Sequence, residues 1–237
     1  WMLLLSSASC MDDTGRYGQD NRNYRITASI EDANVASRVA DKNNRTSFTK
    51  NDEIFIGWSG SAAYKYLCSG TDNVFVPNAS DANRELWTGL LNASSTKEVY
   101  AWYGTMSSTL PAVGTNISIP PDQTSDSKML SAICMAAHQS ASSTTNTLDF
   151  TFHHLTARLF ISVDVVDDIV MQEDVMGATA RLNRIYTAGN VATDTSSKEY
   201  LLNVPTDKAG TGSIRMNRSW SDQEAFHLDF ECLLPPQ

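Results

Sequence analysis

An all-β fold built as two tandem β-sandwich domains is what this sequence predicts, and three observations carry the prediction. Short apolar segments recur at intervals of about ten residues between clusters of Gly, Asn, Asp and Pro, which is the pattern of sandwiches. Ser, Thr, Asn and Asp are abundant while long runs of Leu, Glu and Lys are missing, so strands joined by polar turns are favoured over a helical bundle. No self-similarity at a period of about 20–50 residues is visible, which argues against solenoids and propellers. The chain of 237 residues is long enough for two ordinary domains, each with a real core.

In chain order, Ile26, Ala28 and Ile30 alternate with Thr27 and Ser29, the period of a half-buried strand. DEIFIGW at 52–58 and NVFVP at 73–77 follow as strands. EVYAWY at 98–103 is apolar on both faces and reads as a central strand covered on each side. NISIP at 116–120 ends at Pro120-Pro121, which has no amide hydrogens to extend a ladder. Two stretches read as helical turns, SDANRELWTGLL at 80–91 and SDSKMLSAICMAAH at 125–138. SASSTTNT at 140–147 is small and polar throughout and is the expected domain boundary. Beyond it come LDFTFHHLTARLFISV at 148–163, a turn-rich middle containing TAGN and KAGTG, then EYLLNV at 199–204, SIRM at 213–216 and FHLDFECLL at 226–234. The expected domains are therefore 25–139 and 148–237, joined by 140–147.

The stretch at 148–163 changes phase. Leu148, Phe150 and Phe152 share one face, whereas Leu155, Ala157, Leu159, Ile161, Val163 and Val165 have the opposite parity. An extra residue in a continuous strand produces such a shift, so a bulge or sharp bend is expected near His153-His154, with Leu155, Leu159, Ile161 and Val163 buried together. Adjacent strand residues point to opposite faces, so these two histidines are not read as metal ligands.

Charge and motifs exclude several functions. A net charge of −9 lacks the basic footprint that nucleic-acid binding needs. None of Cys10, Cys68, Cys134 and Cys232 lies in a CxxC or CxxH unit, so free, mostly buried thiols are expected rather than a zinc site. There is no GxSxG elbow, HExxH, P-loop or glycine fingerprint. Asp164, Asp167 and Asp168 read as a solvated strand end. The expectation is a non-enzyme without metal or cofactor.

The opening WMLLLSSASC has an apolar stretch far too short to span a membrane. It reads as the end of a secretory signal, with small residues leading to Cys10 as in a bacterial lipoprotein processing site. Ser7 stands where such sites usually carry leucine, and Met11-Asp12-Asp13 resembles a surface-export signal. Residues 1–10 are thus expected to be a signal remnant with lipidation at Cys10, and 11–24 a flexible tether. The competing reading is a short buried strand with an incidental cysteine.

With these pieces together, the sequence resembles the fimbrillin-like proteins, subunits and anchors of type V pili made by Gram-negative gut and oral anaerobes. Phe152-x-His154-x-x-Ala157-x-Leu159 looks like their signature at the start of the second domain. RTSFTKNDEIFIGW at 45–58, VYAWYG at 99–104, ISIPPDQTSDSKMLSA at 117–132 and LLPPQ at 233–237 are similar to further family segments in the same order. The resemblance covers nearly the whole chain and implies transthyretin-like sandwiches. Relatives continue past the final P-Q turn, so the second domain is expected to be incomplete at its C-terminus.

The resemblance also implies export to the cell surface as an outer-membrane lipoprotein or extracellular fimbria. Partners would be other pilus subunits, joined by strand exchange, with host or bacterial surface ligands as adhesion targets. A trypsin-like protease would cut after an arginine to release the first strand. Arg38, with Arg45 next, follows the candidate donor strand Ile26, Ala28, Ile30. The competing reading of Arg38 is an ordinary loop arginine. A competing function is a surface glycan-binding lipoprotein, for which Trp58, Trp87, Trp102 and Trp220 are candidate platforms.

Overall fold

The computed structural model describes residues 24–31, 47–58, 62–78, 80–104, 109–164, 177–204, 211–222 and 227–236. The described chain is dominated by strands. In order they are β1 (Arg25–Ile30), β2 (Glu53–Gly57), β3 (Tyr64–Cys68), β4 (Val74–Pro77), β5 (Lys97–Gly104), β6 (Asn116–Ser118), β7 (Cys134–Ala141) and β8 (Thr147–His154). Then come β9 (Ala157–Asp164), β10 (Arg181–Tyr186), β11 (Ala188–Thr193), β12 (Tyr200–Asn203), β13 (Thr211–Arg215), β14 (Asn217–Asp222) and β15 (His227–Leu234). Helix α1 (Ser80–Leu91) lies between β4 and β5, and the single turn α2 (Asp126–Leu130) precedes β7. The fold is all-β, as the sequence predicts.

Seven strands close into a barrel in the order β1-β4-β3-β2-β5-β7-β8. The others form three small sheets, β12-β11-β6, β14-β15-β9 and the pair β10-β13. Period-2 alternation decides what each barrel strand buries. Ile26, Ala28, Ile54, Ile56, Tyr66, Phe75, Val99, Ala101, Phe150 and Phe152 join one apolar core, which α1 caps with Leu86, Trp87 and Leu90. Phe48 adds an aromatic plug, edge-on to Phe75 at 5.2 Å and to Phe152 at 5.3 Å. Strand β5 is covered on both faces, as EVYAWY implies. Val99 and Ala101 point into the main core, while Tyr100 and Trp102 join a second cluster with Phe55, Leu155, Val191 and Leu202 under β11 and β12.

Helix α1 matches the predicted 80–91. Gly89 sits inside it, where glycine costs about 1 kcal/mol relative to alanine. A Cβ there would lie 2.4 Å from the Trp58 ring, so the missing side chain is what lets that indole pack on the helix.

Three expectations need correction. The helix read over 125–138 is only the short α2; its second half becomes β7, because Met135 and Ala137 face one core and Cys134 and Ala136 the other. The stretch 140–147, read as a linker, is the end of β7, the turn at 142–146 and the first residue of β8, all within the barrel. There Thr145 N donates to Ser142 O at 3.0 Å and Ser142 N to Thr145 Oγ1 at 2.9 Å. Small polar residues suit a tight turn as well as a linker, which is why composition alone misplaced it. TAGN and KAGTG, read as turns, are partly strand: Ala188, Gly189 and Asn190 of the first lie in β11, and Thr211 and Gly212 of the second in β13.

The phase change at the histidines is real, and of the two expected causes, a bulge or a sharp bend, it is the bend. Strand β8 ends at His154, the chain bends at 155–156, and β9 starts again in a different sheet, paired with β15. Leu155 accordingly enters the second cluster, whereas Leu159 and Ile161 pack against the main core and Val163 is exposed. The expected common burial of these four does not occur, because a strand that changes sheets also changes the core it faces.

Candidate functional site

The sequence RITASI makes β1 a strand with one apolar face, and the barrel uses that face fully. Ile26, Ala28 and Ile30 are buried, while Arg25 and Ser29 are exposed. β1 runs parallel to β8 through six consecutive register pairs, from Arg25↔Thr147 to Ile30↔Phe152. Ile26, Ala28 and Ile30 therefore lie beside Leu148, Phe150 and Phe152 on the inner face, an apolar row beside an apolar row. The ladder continues at both ends, with Arg25 N donating to Asn146 O at 3.0 Å and Glu31 N to Phe152 O at 2.7 Å. On the outer face Thr27 Oγ1 donates to Asp149 Oδ1 at 2.7 Å.

The other side of β1 is held less. It pairs antiparallel with β4 only at Ile26↔Phe75 and Thr27↔Val74, with one further bond from Ala28 N to Asn73 O at 3.1 Å. The β7–β8 pairing is equally short, at Met135↔His154 and Ala136↔His153. Beyond it, Asp149 N donates to the side-chain Oε1 of Gln139 at 2.7 Å instead of to a strand carbonyl. The parallel β1–β8 pair thus spans a slot in the barrel wall with a short seam on each side. Without β1, an apolar channel past Phe75, Phe150 and Phe152 and one edge of β8 would be open, and an extended segment of alternating pattern is what satisfies both. Burying the two isoleucines alone contributes about 1.5–3 kcal/mol each.

The segment-level features around β1 lie partly elsewhere. Cys10, Arg38 and Arg45 fall outside the described residues, as does 1–23. Of the motif residues, Phe152 is fully buried in the barrel, His154 is half-buried, Ala157 is exposed, and Leu159 packs on the main core from β9. They flank the point where the chain leaves one sheet for another. His153 fixes that point, its Nε2 hydrogen-bonded to the carbonyl of Tyr200 on β12 at 3.1 Å. Among the described residues no group of His, Cys, Asp and Glu is placed to hold a metal ion. Cys68, Cys134 and Cys232 are free and buried. Burial pushes the Cys134 thiol well up and, with Glu231 beside it, Cys232 to about 12, so neither supplies a thiolate nucleophile.

Sequence reasoning missed the work of Gln123. Its fully buried amide donates to Leu233 O at 2.8 Å and accepts from Leu233 N at 2.8 Å, as a neighbouring strand would. The signal was present in ISIPPDQ: a polar amide two residues after a pair of prolines, where the backbone cannot supply the pairing itself. Three of the four candidate sugar platforms are engaged otherwise, and the side chain of the fourth, Trp220, lies outside the described residues. Trp102 and Trp87 are buried, Trp87 stacking on Tyr24 at 4.6 Å, and half-buried Trp58 lies on Gly89 with Lys97 Nζ 5.4 Å from its ring. No described helix is long and apolar enough to cross a membrane.

The fold has solved counterparts. A structure from Bacteroides uniformis described as "a putative cell adhesion protein" aligns with 92% of this chain and 76% of its own, at TM-score 0.53 and 19% identity. One from Bacteroides ovatus, described in the same words, aligns over 91% of this chain and 78% of its own, at TM-score 0.54 and 13% identity. No protein-family model matches the sequence, and no curated relative does either.

Proposed function

We propose that this protein is a structural or adhesive subunit of a cell-surface pilus, of the fimbrillin-like kind, that joins other subunits by strand exchange. The observation that carries the reading is the seating of β1: full parallel pairing with β8, a short seam with β4, and an apolar face that completes the barrel core. A strand placed in this way can be replaced by another of like pattern without rebuilding the rest of the barrel. Because donor and acceptor surfaces differ, such contacts propagate as open filaments. The description of the Bacteroides counterparts as cell adhesion proteins supports the same class. In this reading the barrel is the first transthyretin-like unit and the smaller sheets belong to the second. Cys10 carries the lipid that holds the protein at the outer membrane, Arg38 or Arg45 is the processing site, and no catalysis is involved.

Limited proteolysis of the full chain with a trypsin-like protease tests this, with N-terminal sequencing and electron microscopy of the product. A new N-terminus at Val39 or Thr46, loss of β1 and the appearance of filaments or an oligomer ladder are expected. Cleavage that leaves only monomers, or a barrel that keeps β1 bound, would overturn strand exchange.

A further inference from the structure

At one end of the β9–β15 pair a histidine is held between carboxylates of both strands. His227 faces Asp164 in register across the ladder, and its Nδ1 is hydrogen-bonded to that carboxylate. Its Nε2 lies 3.0 Å from Asp229 Oδ1 on its own strand and 2.9 Å from Ser162 Oγ on β9. Ser162 Oγ in turn donates to Asp229 Oδ1 at 2.7 Å. On the other flank of β15, Asp222 of β14 is the register partner of His227. Among the described side chains, the imidazole thus meets Asp164 and a serine hydroxyl from β9 and Asp229 from β15.

Ser162, His227 and Asp164 have the spacing of a hydrolytic triad, but the hydrogen bonds rule that use out. The hydroxyl hydrogen goes to Asp229, not to the imidazole. A neutral ring keeping its proton on Nδ1 for Asp164 would turn the Nε2 lone pair towards the Asp229 carboxylate. The arrangement is satisfied when both ring nitrogens carry hydrogen, which leaves no base to activate the serine.

We propose that His227 is a proton-dependent clasp, which holds the ends of β9 and β15 together when charged and releases them when neutral. Charged, one cation offsets Asp164 and Asp229 across the strand pair. Neutral, it gives up one hydrogen bond and its charge attraction to both carboxylates. The hydrogen bond to Asp164 raises the imidazole above its ordinary value near 6.5; partial burial opposes this, and Asp229 adds to it. A raised folded-state value means that the clasp is fully closed below about pH 6.5 and opens as pH rises through the raised value. Asp164 is 72% exposed and Asp229 12%, so salt screens the outer contact and the opening is confined to this end of the sheet. The device is independent of strand exchange at β1.

Histidine ring titration by NMR, with amide hydrogen exchange of the full chain, tests it. His227, assigned by its absence in His227→Gln, should titrate above its ordinary midpoint, and Asp164→Asn should lower that midpoint. Amides at 162–164 and 227–229, corrected for intrinsic rates, should lose protection between about pH 6 and pH 9, by up to about tenfold for each unit of raised midpoint. In His227→Gln the same amides should show no such loss. If that variant does not fold, Asp164→Asn should move the loss to lower pH together with the midpoint. A midpoint at or below the ordinary value, or protection that ignores pH while His227 titrates, would overturn the clasp.

Discussion

In the barrel every strand has a hydrogen-bonded neighbour on both sides, whereas the β14-β15-β9 sheet ends, among the described residues, on two edge strands. The side chains differ accordingly. The barrel interior is apolar, with Leu148, Phe150 and Phe152 buried beside Ile26, Ala28 and Ile30. On β15, alternate residues Leu228, Phe230 and Cys232 enter the core, while Asp229 and Glu231 are buried on the opposite face. Glu231 is held by Arg158 of β9, whose Nε donates at 2.8 Å, and at the end of the strand Gln123 pairs with the backbone of Leu233. Closure lets backbone ladders do the joining and leaves side chains free to pack. Where the ladder runs out, polar side chains take its place, at the cost of burying groups that must stay paired.

The largest test of this contrast is in the barrel. Phe150→Ala removes a fully buried ring beside Ala28 and should destabilise by about 3–5 kcal/mol in urea unfolding. A loss below about 1 kcal/mol would mean that the barrel interior relaxes freely and is not the rigid half of the comparison.

Gln123→Ala should come next. It leaves the buried N–H and C=O of Leu233 without their partner, which costs about 1–3 kcal/mol. Gln123→Glu sharpens the point, because a carboxylate can accept from Leu233 N but cannot donate to Leu233 O. Equal stability of the glutamate variant and the parent, measured by the same unfolding curves, would show that the amide does not stand in for a strand.

How much of this was legible in the sequence follows the same division. The period-2 faces of β1 and the two-sided burial of β5 were legible because alternation is local, and α1 coincides with its predicted span. The partner of β1 was not: it is β8, and Thr27 and Asp149, which bond across that pair, are 122 residues apart. Nothing local encodes such a pairing, nor that it runs parallel. The phase change at His153-His154 was visible, but alternation cannot tell a bulge from a change of sheet, since both reverse parity. For the candidate site, Ile26, Ala28 and Ile30 were readable as a strand, whereas the short seam of β1 with β4 is a property of register. Gln123 and His227 were not singled out: the proline pair before Gln123 marks a gap in the ladder but not what fills it, and a lone His carries no pattern until its partners are in place.

The smallest effect is expected at the surface, on the strap that carries Gln123 to β15. Asp122 accepts from Lys128 Nζ at 2.8 Å and from Thr124 Oγ1 at 2.8 Å, and Arg215 Nη2 of β13 lies 2.7 Å away. The Lys128 hydrogen bond, followed by that of Thr124, holds its carboxyl down at about 2, with Arg215 adding to the effect. The folded value is depressed, so its contribution is present above the unfolded value near 3.9 and is lost as pH falls through about 2. Asp122→Asn should therefore lower stability slightly at neutral pH, and the two proteins should converge as the medium is acidified towards pH 2. Because the carboxylate is open to solvent, high salt should shrink the neutral-pH gap, as it does for exposed ion pairs. Thermal melts of both proteins between about pH 2 and 7 read this directly. A gap that survives at the acid end, or that ignores salt, would show that Asp122 acts through the shape of the Pro-Pro strap rather than its charge. The strap would then belong with the packed barrel and not with the polar joints of the smaller sheets.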